Sequence, residues 1–145
     1  MEAKVRERIA LLHSAAPGSI GEQMDYRLVR MDAEKGEYLL RCRTFEWMCN
    51  ANGTLHGGMC ATVVDQAMGF VAYCLMPGKG IAPTVQLQVT YHRPLIPGEE
   101  VFVLVKVVSQ TKSLIHLTAE AALVSAPDRV CLTSTGTFFY KPLEV

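Results

Sequence analysis

Two periods of hydrophobic positions alternate along the chain, and the changes from one to the other outline its elements. Over residues 4–16, apolar side chains recur every three or four positions, at Val5, Ile9 and Leu12, which predicts a short N-terminal helix. The same helical period returns over residues 56–76, where apolar side chains cover almost the whole circumference. This second helix is therefore predicted to lie in the core rather than on the surface.

Strands are predicted from alternation with a period of two and from turn residues between the runs. Two strands precede the long helix and four follow it: residues 24–32, 36–43, 84–92, 101–108, 114–124 and 129–140. Short turns between consecutive strands favour an antiparallel sheet, and the apolar helix must pack against it with the sheet curling around. Six strands can pack against only one side of that helix, so its other side stays exposed. A partner subunit is expected to cover this side.

The composition is that of a folded domain. The chain has 145 residues, of which 50% are hydrophobic and 19% charged, and this indicates a single domain over residues 1–145. Basic and acidic side chains number 14 each, so we expect no nucleic-acid partner, since such domains usually carry a basic excess. No segment resembles a secretion signal, and Asp65 and Gln66 interrupt the longest apolar stretch. We therefore expect a cytoplasmic protein with no membrane partner.

Neither the cysteines nor the histidines predict a metal site or a disulfide framework. The chain has five cysteines and four histidines, and they form no CxxC, HxxxH or HExxH motif. We expect small buried thiols in a reducing compartment and no bound metal. The sequence also lacks a GxSxG elbow, so it does not predict a serine hydrolase.

The loop before the long helix carries the candidate chemistry. It reads NANGTLHGG from Asn50, and Gly57 and Gly58 open the predicted helix directly. The first N–H groups of a helix lack internal acceptors and lie at the positive end of its dipole, so they can hold an anion or an oxyanion. An ordinary turn with an N-cap is the alternative interpretation of the two glycines.

Asp65 is the only carboxylate in the long helix and has apolar neighbours. Burial disfavours the charged form of a carboxyl group, which suits a general base; a partly exposed or internally satisfied Asp65 is the alternative. Eight residues of helix place Asp65 about 12 Å from Gly57, too far for both to act on one substrate. If both act, a second subunit must bring its own Gly57 beside Asp65, and each dimer then holds two composite sites.

Taken together, these residues resemble a known signature. The signature consists of Asn50, Gly53, His56, Gly57, Gly58 and Asp65 at these spacings. It resembles the motif of the PaaI-like branch of the hotdog-fold thioesterases, and the run TVQLQVTYHRP from Thr84 is similar to the strand after the central helix in that family. The fold class is then α+β: a hotdog fold, with an antiparallel sheet wrapped around one long central helix, preceded here by the short N-terminal helix. The resemblance also implies a homodimer with a continuous sheet, often a dimer of dimers, that hydrolyses acyl-CoA without a cofactor.

The resemblance implies a catalytic role for four positions. The Gly57 N–H and the Asn50 side chain would hold the thioester oxygen, with Asn52 competing for the second role. Asp65 of the partner subunit would activate a water, or alternatively attack the thioester directly. His56 would orient the loop or lie near the departing sulfur.

Three further positions are predicted to contact substrate. Thr84 matches a position where the family often has a hydroxyl that places the water, although strict alternation puts it on the polar face of its strand, away from the apolar one. Gly58 would lie beside the bound thioester at the helix start. Arg93 is a candidate for holding the CoA nucleotide, as are Lys106 and Lys112.

Two other functions remain open at this point. A hotdog dehydratase or hydratase would use His56 and Asp65 for proton transfer at carbon. A non-catalytic acyl-CoA-binding module would keep the pocket without turnover.

Overall fold

A computed structural model, which describes residues 1–143, shows one long helix packed on one curved sheet. The helices are α1 (Glu2–Ala15), α2 (Ile20–Met24) and α3 (Gly57–Leu75), and a single 3₁₀ turn covers Glu46–Met48. The strands are β1 (Arg27–Asp32), β2 (Glu37–Cys42), β3 (Gly80–Ile81), β4 (Thr84–Tyr91), β5 (Val101–Gln110), β6 (Leu114–Leu123), β7 (Leu132–Phe139) and β8 (Lys141–Pro142).

Six of the strands form one antiparallel sheet in the order β1-β2-β5-β6-β7-β4, and β3 pairs with β8 separately. The long connection through α3 separates β2 from β4, so β4 joins the sheet at the end opposite to β1. β4 therefore has one long edge that no strand of the described chain covers. The architecture is the one that the resemblance implied, with the sheet curled around α3.

α3 is the core of the molecule. Its buried side chains pack within the fold, against the sheet or, for Phe70, beside the rings of Tyr26 and His13: Cys60, Val63, Val64, Ala67, Met68, Phe70, Val71 and Ala72. Burying each large apolar side chain contributes roughly 1.5–3 kcal/mol. The helix is long and apolar enough to cross a membrane, but half of its apolar window is buried inside the fold.

The opposite face of α3 is half-exposed in one chain. It carries Ala61, Thr62, Asp65, Gln66, Gly69 and Tyr73. The sheet of the chain covers only the other side of the helix, as the strand count predicted. This uncovered face holds the only charged residue of the helix.

The structure differs from the predicted elements in its short segments. Residues 20–24 form a helix that the pattern did not predict, and β1 starts at Arg27 rather than at residue 24. The reason is local capping: the Ser19 side chain accepts from the Glu22 N–H, and Asp25 ends the helix in the left-handed conformation at φ 49°.

Candidate functional site

Asp65 lies on the half-exposed face of α3 and is held there by Thr84. The Thr84 hydroxyl donates to Asp65 Oδ1 across 2.8 Å. The apolar neighbours in the sequence predicted a buried carboxylate, but in one chain Asp65 is half-buried, because its face of α3 lacks cover. The hydrogen bond leaves Oδ2 of Asp65 available for another partner.

The contact between Thr84 and Asp65 depends on an irregularity at the start of β4. The pairing of β4 with β7 shifts register between Thr84 and Gln86. Thr84 thereby lies opposite Phe138, a buried residue on the helix side of the sheet. Because opposed residues share a face, Thr84 points toward α3. The expectation from strict alternation, that Thr84 faces away, is therefore wrong at this one position.

The start of α3 is capped by a side chain. His56 is the N-cap residue, and its Nδ1 accepts from the Gly58 N–H at 3.0 Å. Nδ1 is therefore the acceptor in this contact, and the Gly58 amide is used within the chain. Within residues 1–143, the Gly57 N–H meets no protein acceptor, which leaves it as a donor for a ligand at the positive end of the helix.

Tyr91 is a contact at this end of α3 that was not predicted. Its hydroxyl donates to the Gly57 carbonyl oxygen across 2.6 Å. Desolvation raises the pKa of Tyr91 above the ordinary value of a tyrosine, so the hydroxyl is a protonated donor at neutral pH. One signal was present in the sequence, since the alternation places Tyr91 on the same face as Leu87 and Val89.

Asn50 closes the loop that precedes the helix. Its Oδ1 accepts from the backbone N–H groups of Asn52 (2.9 Å) and Thr54 (3.1 Å), and its Nδ2 donates to Thr54 Oγ1 at 2.9 Å. Gly53 completes the turn at φ +77°, a conformation that favours glycine. Asn52, the competing donor, is exposed and contributes its backbone N–H to this turn.

Cys60 lies one turn into α3 but is not a nucleophile. It is 3% exposed, and burial raises the pKa of its thiol to about 11. Since the thiolate is the reactive form, a buried protonated thiol packs rather than attacks. Within the described chain, no group of three or more His, Cys, Asp or Glu side chains could hold a metal ion.

The three basic candidates lie in different places. Arg93 is exposed just beyond the end of β4, where its guanidinium donates to the Val130 carbonyl at 2.8 Å. Lys106 lies on the face of the sheet away from α3, beside a groove of about 440 Å³, and is 3.7 Å from Glu37. Lys112 is exposed in the turn between β5 and β6. Only Arg93 is close in sequence to a residue that contacts the start of α3.

The candidate residues form two groups at separate points along α3. Gly57, His56 and Tyr91 meet at its start, whereas Asp65 and Thr84 meet two turns further on. Eight residues of helix separate the two groups by about 12 Å. One chain therefore does not bring the base and the amide donor together.

A cleft of about 400 Å³ opens beside Asp65 and Thr84. It lies between the half-exposed face of α3 and the segment that leads from α3 into β4. The rings of Phe70, Tyr73 and Phe138 contribute to its lining, and Asp65 is the only charged residue that does so. The cleft can thus hold an apolar group directly next to a carboxylate.

Comparison with known proteins points to one family. Residues 52–131 match the family described as the Thioesterase superfamily. Acyl-coenzyme A thioesterase 13 of Homo sapiens is 32% identical over 89 residues, which make up 61% of this chain and 62% of that protein. The chain thus spans less than two thirds of the length of this relative.

Solved structures show the same fold at low sequence identity. The E. coli PaaI protein, from the phenylacetic acid degradation operon, superposes with a TM-score of 0.79 at 14% identity, covering 97% of this chain and 95% of PaaI. A hypothetical thioesterase from Streptococcus pneumoniae with coenzyme A superposes with a TM-score of 0.68 at 19% identity, covering 83% of this chain and 92% of that one. These likenesses confirm the predicted hotdog fold.

Proposed function

This chain belongs to the thioesterase superfamily, and on that premise we propose that it hydrolyses acyl-CoA thioesters to a free acid and CoA. A relative named as an acyl-coenzyme A thioesterase and a structural neighbour holding coenzyme A support this substrate class. The observation that carries the proposal is the Asp65 carboxylate, oriented by Thr84 at the mouth of an apolar cleft.

Asp65 acts as the general base in this proposal. Thr84 fixes one carboxylate oxygen, which leaves the other free to accept a proton from water at the thioester. The water oxygen bonds to the carbonyl carbon, its proton passes to Asp65, and the carbonyl oxygen becomes an oxyanion. Collapse of this intermediate breaks the C–S bond, and the proton on Asp65 passes to the departing sulfur. Direct attack by Asp65, through an anhydride, is the alternative route.

The oxyanion would be held at the start of α3. The Gly57 N–H is free, and the second hydrogen on Asn50 Nδ2 is not used by the loop. Two such donors near a developing negative charge supply the stabilisation that acyl transfer requires. His56 would keep the helix start in place as its N-cap, and Tyr91 would do so through its hydrogen bond to the Gly57 carbonyl.

A homodimer would complete each site. β4 is the last strand of the sheet, and Val85 (61% exposed) and Tyr91 (52% exposed) leave apolar surface on it, so pairing with a second β4 would cover the edge. Thr84 and Tyr91 stand at opposite ends of this strand. A two-fold axis at its middle would therefore exchange the ends and place Asp65 of one subunit opposite Gly57 of the other. Two such dimers could associate further.

CoA would approach from the start of α3, where Arg93 is the basic side chain best placed to meet a phosphate.

Thiol release from a panel of short, long and aromatic acyl-CoA thioesters tests the function. Wild-type protein is expected to release CoA from at least one of them. Conversion of a 3-hydroxyacyl-CoA to the enoyl product without thiol release would favour a dehydratase, and tight binding without turnover would favour a binding module.

Substitution of the base tests the mechanism. Asp65→Asn is expected to lower kcat by about 10²–10⁴, because the amide cannot accept the proton but fills the same space. Asp128→Asn, an exposed carboxylate in the turn between β6 and β7, is the matched control and should keep the wild-type rate. Equal activity in Asp65→Asn and Asp128→Asn would exclude Asp65 as the base.

A further inference from the structure

Gly69 occupies the middle of α3, where glycine is the least favourable residue after proline. Packing does not require it: a Cβ at Gly69 would approach within 4 Å only Phe138 Cε1, at 3.5 Å, which is an ordinary contact. At other positions of the chain, close packing does require a glycine. A Cβ at Gly136 would lie 3.0 Å from Met68 Cε, and one at Gly80 would collide with the Lys141 carbonyl oxygen.

Gly69 lies on the face of α3 that borders the cleft, so the absence of a side chain there leaves space inside the cleft. Asp65, Gly69 and Tyr73 follow one another at intervals of four residues, so they lie on one face of the helix. All three line the cleft of about 400 Å³. Gly69 therefore lies one turn beyond the carboxylate, and any side chain there would narrow the cleft immediately next to it.

The lining shows which half of a thioester the cleft can take. It contains no basic residue, and its one charged group is Asp65, so it would repel the phosphates of CoA. The end of the cleft at Tyr73 is held in place by Arg8. The Arg8 guanidinium lies 4.7 Å from the centroid of the Tyr73 ring and donates to the Tyr73 carbonyl. An apolar acyl group is the part of the substrate that fits this space.

We propose that Gly69 is a specificity-determining residue, which gives the cleft the width for acyl groups that are broad next to the carbonyl, either branched or planar. This inference rests on the proposed thioesterase function. It assigns to Gly69 a role in substrate choice and none in the chemistry. In the proposed dimer, the same face of α3 meets the partner, so close approach of the two helices is the competing reason for a glycine.

The test compares wild type, Gly69→Ala and Gly69→Val on acetyl-CoA, isobutyryl-CoA and benzoyl-CoA, with the melting temperature and the mass in solution measured for each protein. For Gly69→Ala we expect kcat/KM to fall at least about tenfold on the two broad substrates, since one methyl group in a pocket discriminates by about 10–200-fold. Activity on acetyl-CoA should fall less than on either broad substrate, so that the ratio of kcat/KM on acetyl-CoA to that on benzoyl-CoA rises, and Gly69→Val should raise this ratio further. The melting temperature of Gly69→Ala should rise by about 2–4 °C, because alanine favours the helix.

Three outcomes would overturn the inference, and each differs from failure of the proposed function. A uniform loss on all three substrates would show that Gly69 does not select among them. Dissociation of the oligomer in Gly69→Ala would assign the glycine to subunit contact. Wild-type turnover of acetyl-CoA with none of either broad substrate would show that the cleft takes no broad group. No thiol release by the wild type from any acyl-CoA would instead remove the proposed function itself.

Discussion

At the scale of single residues, Asn50 has two hydrogens on Nδ2, and one of them is given to Thr54 Oγ1. Its Oδ1 holds two backbone N–H groups of the same loop. The side chain therefore shapes the loop with its oxygen and keeps one donor for a substrate. Alanine at this position would remove both roles together, so a different substitution is needed to separate them.

Asn50→Asp separates the two roles of this side chain. Aspartate keeps the oxygen that accepts from Asn52 and Thr54, and its second oxygen can accept from the Thr54 hydroxyl in place of the contact that Nδ2 makes. It has no N–H, however, to meet the thioester oxygen. We expect kcat to fall by about 10²–10³, the loss typical of one oxyanion donor, with an unchanged melting temperature. Steady-state kinetics and thermal unfolding measure the two effects. A kcat near the wild-type value would mean that Asn50 serves only the loop.

Tyr91→Phe tests how the amide donor is positioned. The substitution removes the hydrogen bond to the Gly57 carbonyl while keeping the ring. Loss of one hydrogen bond corresponds to about tenfold, and we expect it in kcat rather than in KM, because Tyr91 acts through Gly57. Equal kcat values for Tyr91→Phe and wild type would show that the N-cap alone orients Gly57. His92→Ala, at the position just after β4, whose ring is hydrogen-bonded to Thr133 rather than to α3, is the matched control.

At the scale of elements, long periodic runs were predictable and short ones were not. α3 and β4 lie within one residue of their predicted ends, since many apolar positions repeat along each. α2 has five residues, and β3 and β8 have two each, too few for a period to show. The sequence did contain a capping signal for α2, since Ser19 is followed three residues later by Glu22.

The residues of the candidate site also divide into those that the sequence predicts and those whose contacts only the structure reveals. Gly57 and Asp65 could be selected from their types and spacing, whereas Asn50 was selected from the resemblance to the hotdog-fold thioesterases. The contacts of Thr84 and Tyr91 depend on how β4 pairs with β7 and packs against α3. Such contacts are set by tertiary structure, and the register shift at Thr84 has no signal in a pattern that alternates regularly through it.

Arg8→Ala tests how the far end of α3 is held. The Arg8 guanidinium donates to the carbonyl of Tyr73, in the last turn of the helix, and to that of Gly78 just beyond it. A cation near the negative end of a helix also offsets its dipole. We expect Arg8→Ala to lower the free energy of unfolding by about 1–2 kcal/mol in a denaturant titration. Arg129→Ala, an exposed arginine in the turn between β6 and β7, should cost less. An equal loss in both variants would argue against a special role for Arg8.

At the scale of the whole molecule, one chain is incomplete in two respects. The face of α3 that carries Asp65 is uncovered, and β4 is the long unpaired edge of the sheet. Pairing of two β4 strands would cover both surfaces at once. It would also bring each Asp65 to the Gly57 of the other subunit, which one helix cannot do because about 12 Å separates them.

A mixed dimer of Asn50→Asp and Asp65→Asn subunits, purified through two different tags, shows whether two subunits share each site. In a shared site, Asp65 of the first subunit works with Asn50 of the second, so one of the two sites is intact. If the sites are shared, the mixed dimer is expected to release thiol at about half of the wild-type rate per dimer, although each variant alone is nearly inactive. A verified mixed dimer with no more activity than its parents would show that each chain uses its own Asp65 and Asn50, and would exclude a shared site.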